Sequence, residues 1–261
     1  MPYLRRVSLD TGRTHPFPYD VPAVRYARDL ALDTPVTFFV GENGSGKSTL
    51  LETIAFRLQL PHLNGNDYTS SGYAAAKKLV GHLDIEWGME RSRGFFFRAE
   101  DFGDLANTMD RRAGRLYNQL HDLRGEVPDA VIDAMIDSAN QQPRHLERYG
   151  QSLQAHSHGE AFLEIMRLQI DGRGIYLLDE PEAALSPTRQ LALLYFLQDH
   201  LAQHNSQFLI ATHAPILMAL PGARLYEITA EGMEETGFEE TEHYRVTRSV
   251  LERPGAVFGG P

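Results

Sequence analysis

The sequence predicts an α/β chain: a mostly parallel sheet flanked by helices, with an antiparallel β part at the N-terminal end and a helical insertion. Three observations predict it. Short apolar runs (Val36 to Val40, Ile175 to Leu178 and Phe208 to Ala211) read as strands buried on both faces. Stretches with helical spacing, such as Leu50 to Leu60 and Leu191 to Leu201, alternate with them. The first of these strands runs directly into the glycine-rich loop Gly41-Glu42-Asn43-Gly44-Ser45-Gly46-Lys47-Ser48-Thr49 and then into a helix.

The elements follow in order. Tyr3 to Leu9 predicts an opening strand. Thr11 to Pro22 carries Gly12, Pro16, Pro18 and Pro22 and reads as loop or edge. Val24 to Leu32 is short and fits helix or strand. Phe17, Tyr19 and Tyr26 stand upstream of the glycine loop, where one could stack on an adenine ring or all could simply pack. Leu60 to Gly72 reads as a surface loop and Tyr73 to Leu79 as a helix. Leu83 to Trp87 alternates apolar and polar, as a half-buried strand does. After a turn, Gly94 to Arg98 is a second strand, and the two could form a hairpin.

Asp104 to Arg124 and Asp129 to Asn140 predict helices, so residues 101–156 are expected to form a helical subdomain inserted in a single domain spanning 1–261. Its arginines (Arg111, Arg112, Arg115, Arg124, Arg144, Arg148) fit a solvated face better than a contact surface. Ala161 to Ile170 is helical, Leu225 to Thr229 a last strand and Val246 to Leu251 a short last helix. No internal repeat or long heptad run is visible.

Composition bounds the function. The 261 residues include 42% hydrophobic ones, enough for a sizeable core. The net charge of -10 argues against a surface that is basic all over, and Glu231, Glu234, Glu235, Glu239, Glu240 and Glu242 near the C-terminus read as a solvated face. Absence of cysteine excludes disulfides and thiolate metal sites. No apolar run is long enough for a transmembrane segment, and Met1 to Arg6 lacks the apolar stretch of a signal peptide, so a cytoplasmic protein is expected.

The glycine loop fits G-x-x-x-x-G-K-[ST], the phosphate-cradling pattern. Its glycines let backbone N–H groups turn toward phosphate oxygens, and the following helix adds positive partial charge. Asn43, Gly44, Ser45, Gly46, Lys47, Ser48 and Thr49 are therefore expected to bind a nucleotide, with Lys47 on the β- and γ-phosphates and the Ser48 hydroxyl on Mg²⁺. Asp179 and Glu180 end a buried strand, on the same side of the sheet as that loop. Asp179 is expected to hold Mg²⁺ opposite Ser48, and Glu180 to orient and polarise the attacking water. His213 ends the next strand, where it can reach a γ-phosphate or that water; Glu182 and His213 stand next in line should Glu180 not act. Ser157-His158-Gly159-Glu160 reads locally as a capping box, and the same geometry suits a phosphate contact.

The order of these motifs resembles an ABC-type ATPase over nearly the whole chain. The likeness extends to the stand-alone bacterial "AAA family" predicted ATPases of ABC type, related to SMC and RecF-like repair ATPases. It rests on residues 41–49, Gly94-Phe95-Phe96-Phe97-Arg98-Ala99-Glu100, residues 157–160, Leu177 to Glu182 and Ala211-Thr212-His213. The resemblance implies a dimer formed around ATP, with Ser157, Gly159 and Glu160 contacting the γ-phosphate held by a second copy. It makes Leu185 and Ser186 the D-loop and His213 the switch histidine. The usual signature Leu-Ser-Gly-Gly-Gln is His156-Ser157-His158-Gly159-Glu160 here. The family's metal-contacting glutamine is absent; Glu100 stands nearest its place as a metal ligand and Arg98 next.

Three functions compete: an ATP-driven dimer switch acting on an unidentified protein partner, a transporter's ATPase subunit, and a nucleic-acid-associated clamp. The altered signature and missing glutamine weigh against the transporter, while the resemblance favours nucleic acid and the charge does not.

Overall fold

The computed structural model describes residues 2–12, 16–63, 73–89, 93–102, 128 and 158–255. Its larger sheet has the order β5-β6-β7-β3-β8-β9, built from β3 (Val36–Gly41), β5 (Gly94–Arg98), β6 (Ile175–Asp179), β7 (Gln207–Thr212), β8 (Arg224–Ile228) and β9 (Met233–Thr236). Five of these strands run parallel, and β9 pairs antiparallel with β8 at one edge. Alternate residues feed two separate cores, as the period of two requires. Phe39, Phe96 and Leu177 enter one core; Phe38, Val40, Phe95, Phe97, Tyr176 and Leu178 enter the other. Burial on both faces is why these runs are continuously apolar rather than alternating.

The helices cover both faces. On the first face lie α1 (Pro22–Tyr26), α2 (Lys47–Leu58) and α3 (Ala74–Leu79); α2 presents Leu50, Leu51, Ile54, Ala55 and Leu58 to that core. On the second lie α4 (His158–Gln169), α5 (Pro187–Gln203) and α6 (Pro215–Met218), with Phe162, Ile165, Leu193, Leu197 and Leu217 among the core residues. A last helix, α7 (Glu242–Glu252), buries no residue fully. The expected N-terminal antiparallel part is a three-stranded sheet of order β2-β1-β4, with β1 (Leu4–Leu9), β2 (Leu30–Ala31) and β4 (Leu83–Trp87).

Two expectations need correction. Leu83–Trp87 and Gly94–Arg98 form no hairpin: β4 pairs with β1, and β5 pairs with β6 in the other sheet. Phe95, Phe96 and Phe97 are all buried and need cover on both faces, whereas β4 leaves Trp87 45% exposed, so the two strands suit different environments. Nor is the start of the segment after α2 a surface loop. Leu60 and His62 are buried, and residues 61–63 add a parallel bridge to Phe96 that covers the free edge of β5. The expected helices at 104–124 and 129–140 lie outside the described residues apart from Pro128, as do residues 64–72. Among the described residues, no helix is long and apolar enough to cross a membrane.

Candidate active site

The site lies at the C-terminal ends of β3, β5, β6 and β7, where the strands hand over to loops. β3 ends at Gly41, and the chain turns through Glu42 to Gly46 before α2 starts at Lys47. Gly46 has φ +92°, and a Cβ there would sit 2.8 Å from Val21. A Cβ on Gly41 would lie 2.4 Å from the carbonyl oxygen of Ile228. Glycine is therefore required at both positions, once for conformation and once for space. The loop is seated on the N-terminal segment, since Ala23 N–H donates to Ser45 O at 2.8 Å.

Lys47 is 3% exposed, and its ammonium donates to Gly41 O at 2.7 Å and Glu42 O at 3.0 Å. Burial lowers its pKa, while Glu180, Asp179, Glu182 and Glu42 oppose that shift. Among the described residues, Ser45 Oγ is buried without a hydrogen-bond partner, and the N-terminus of α2 carries no side-chain cap. Asn43 and Gly44 are exposed, and Thr49 is half-buried.

Ser48 Oγ donates to Asp179 Oδ1 at 3.0 Å, joining the first turn of α2 to the end of β6. Asp179 is 4% exposed, and burial pushes its carboxyl up to about 7 with help from Glu180; Ser48, Arg98 and Lys47 pull the other way. Glu180 has φ +49°, a left-handed conformation that a glutamate rarely adopts. Its N–H donates to Ala211 O at 2.9 Å, which pins the turn to β7. Strain held against a neighbouring strand beside a buried carboxylate is a feature of functional sites. His213 Nδ1 lies 3.8 Å from Glu180 Oε1 and 3.3 Å from Glu182 Oε1.

Ser48, Arg98, Glu100, Asp179 and Glu180 line one cavity of about 450 Å³. Arg98 is register-paired with Asp179 across β5 and β6. Its guanidinium bonds Glu52 at 2.7 Å, pairs with Glu100 and lies 3.9 Å from Asp179 Oδ2. Glu100 is 65% exposed in its side chain, so it reaches the rim rather than the floor. Glu52 was not singled out from the sequence, although it stands four residues after Ser48, on the same helix face.

The donors fit a magnesium nucleotide. Mg²⁺ takes one or two protein oxygens and completes its shell with phosphates and water, and Ser48 with Asp179 supplies such a pair. Among the described residues no cluster of three or more His, Cys, Asp or Glu could form an all-protein cage. The buried ammonium of Lys47, the uncapped helix and the orphan Ser45 hydroxyl fit phosphate oxygens.

The remaining expected residues stand apart. Ser157 lies outside the described residues, Gly159 is in the first turn of α4, and the exposed Glu160 pairs with Arg189 of α5 at 3.0 Å. Leu185 is buried and Ser186 precedes α5. Tyr19 packs at the edge of the first core, Tyr26 lies under Arg25 and Phe17 is 60% exposed.

The family model for the ABC transporter matches residues 33–183. The chain is 30% identical over 191 residues to the cytochrome c biogenesis ATP-binding export protein CcmA of Paracoccus denitrificans, covering 72% of this chain and 73% of that protein. The fold matches a putative metal-chelate type ABC transporter in an inward-facing conformation (TM-score 0.51, 16% identity, 95% of this chain and 88% of that one). It also matches an ATP-binding cassette of an ABC transporter in its ADP conformation (TM-score 0.51, 15% identity, 98% of both chains). With a glycine loop, a serine–aspartate hydrogen bond and a strained glutamate at one sheet end, and a family match over more than half its length, the chain belongs to the ABC transporter family and is an ABC-type P-loop ATPase that hydrolyses ATP.

Proposed function

We propose that two copies of this chain close on ATP and that hydrolysis, by releasing them, works a switch on a partner. The observation that carries the reading is the Ser48–Asp179 hydrogen bond, with Glu180 beside it in a strained conformation and His213 facing it. In this reading Asn43 to Thr49 hold the phosphates, with Lys47 as the point charge. Ser48 and Asp179 hold Mg²⁺, and Glu100 approaches from the rim. The metal's contribution is to neutralise phosphate charge and orient the γ-phosphate. Glu180 accepts a hydrogen bond from the attacking water and raises its nucleophilicity. His213 donates to the γ-phosphate or holds the same water.

Residues 101–156 are a helical subdomain inserted in a single domain in this reading. Ser157, just before α4, and Gly159 and Glu160, in its first turn, complete the phosphate site of a second copy. The affinity to SMC and RecF-like ATPases is part of this reading and is supported by the motifs at residues 41–49, 94–100, 157–160, 177–182 and 211–213.

A transporter subunit is the second reading. It is supported by the similarity to CcmA, named as an export protein, and fits the family match at least as well as the first, although the altered signature and missing glutamine weigh against it. The partner is then a membrane permease. Glu180→Gln tests the switch: with Mg²⁺–ATP it should elute as a dimer by light scattering, and as a monomer after nucleotide removal. A monomer throughout, with ATP bound, overturns the dimer. Co-purification of that variant from membranes supports the permease; ATP-dependent, salt-sensitive DNA binding supports the clamp instead.

A further inference from the structure

A second carboxylate beside Glu180 is more deeply buried. Glu182 lies on the short turn Pro181–Ala184 and is 6% exposed. Its Oε1 accepts hydrogen bonds from Thr212 Oγ1 at 2.6 Å and His213 N at 2.8 Å. Thr212 Oγ1 in turn accepts from Ala214 N at 3.0 Å. One carboxylate thus grips three consecutive residues at the end of β7, two directly and one through Thr212. Its other oxygen, Oε2, is buried with no hydrogen-bond partner among the described residues.

A buried carboxylate with one bare oxygen is costly, and a neutral acceptor would serve the same two donors. The imidazole gives the charge a purpose. His213 Nδ1 is buried and 3.3 Å from Glu182 Oε1, outside hydrogen-bond alignment but within ion-pair reach. The side chain as a whole is 43% exposed, so the open edge of the ring is the one that carries Nε2.

Resting on the reading that His213 acts on the nucleotide, we infer that Glu182 is a positioning residue: it fixes the backbone of His213 and keeps Nδ1 protonated and turned inward, which leaves Nε2 for the nucleotide or its water. A carboxylate behind an imidazole selects the tautomer in this way in hydrolases and metal sites. Glutamine isolates the effect, because its carbonyl can still accept from Thr212 and the His213 N–H while the nearer charge facing Nδ1 is gone; Glu180 Oε1, at 3.8 Å, is left in place.

The test combines a spectrum with kinetics on the full chain. Nitrogen-15 NMR of the imidazoles, with His213 assigned among 11 histidines by loss of its signal in His213→Ala, should show Nδ1–H in the wild type at neutral pH. That measurement stands even if a Glu182 variant fails to fold. Glu182→Gln should move the ring toward the Nε2–H tautomer and lower kcat by roughly ten- to a hundredfold. KM for ATP should stay within about twofold, since ground-state binding is untouched. The double variant with His213→Ala should be no slower than His213→Ala alone. A wild-type Nε2–H tautomer, or losses that multiply in the double variant, overturns the inference. Full turnover in His213→Ala would instead remove the role of His213 in hydrolysis, while the spectrum still reports whether Glu182 holds the ring.

Discussion

The two ends of the parallel strands treat buried polar groups in opposite ways. At the N-terminal end, Gln207 opens β7 and is completely buried, yet its amide is saturated. Its oxygen accepts from Leu4 N at 2.8 Å, and its nitrogen donates to Leu4 O at 3.0 Å and Leu32 O at 2.5 Å. Nearby, His200, Ser206 and Gly172 O close a second satisfied chain. At the C-terminal end, Ser45 Oγ and Glu182 Oε2 are buried with no partner among the described residues, and Asp179 carries a carboxyl pushed up to about 7. Buried polar groups are usually paired, so those left short mark where a ligand is expected. The same strands stitch the two sheets together at one end and hold unmet hydrogen-bonding capacity at the other.

The largest expected effect is at the unmet end. Glu180→Gln should lower steady-state ATP turnover by roughly 10²–10⁴-fold, the range for a lost general base, with the fold intact by circular dichroism. Unchanged turnover would separate strain from chemistry at that position. Gln207→Leu is the converse. Each backbone group it strips of a partner costs about 1–3 kcal/mol, read by urea unfolding, while turnover per folded molecule stays at the wild-type level. A selective loss of turnover there would break the division between the two ends.

Lys47→Ala should weaken ATP binding by roughly tenfold or more in calorimetry, from the loss of a charged hydrogen-bond donor worth about 1.5–3 kcal/mol. The smallest effect sharpens the contrast. The folded chain holds the Asp179 proton more tightly than the unfolded chain does, with a pKa raised from 3.8 to about 7. Nucleotide-free stability should therefore fall as pH rises through that window and level off above it. Asp179→Asn should remove this slope and raise Tm at pH 8 by about 2–4 °C for each kcal/mol regained, although it abolishes turnover. A lower Tm in that variant would mean that the Ser48 hydrogen bond outweighs burial.

Most of the sheet was legible because full burial leaves a plain mark: continuous apolar runs such as Ile175 to Leu178 cannot belong to a half-exposed strand. Pairing was not legible where the partner is distant in sequence. Leu83–Trp87 pairs with the chain's opening strand, and no local pattern records that choice. Met233–Thr236 escaped notice because an edge strand whose two central residues are exposed glutamates looks like acidic loop. At the site, Lys47, Ser48 and Asp179 were readable from spacing, and the structure brings them together. Glu52, Arg98 and Gln207 act through contacts far away in sequence: the Arg98–Glu52 bond spans 46 positions and the Gln207–Leu4 bond 203. Such roles depend on which side chains the folded sheet brings face to face.

The seating of the glycine loop on the segment before it bears on how such proteins can be recombined. The family match begins at residue 33, whereas Val21 and Ala23, which shape and fasten the loop, come earlier. A graft exchanging residues 33–183 with a relative would import a loop without the surface it was fitted to. Exchanging from residue 2 onward would carry the loop and its seat together, and the natural crossover point for chimeras lies ahead of the opening strand.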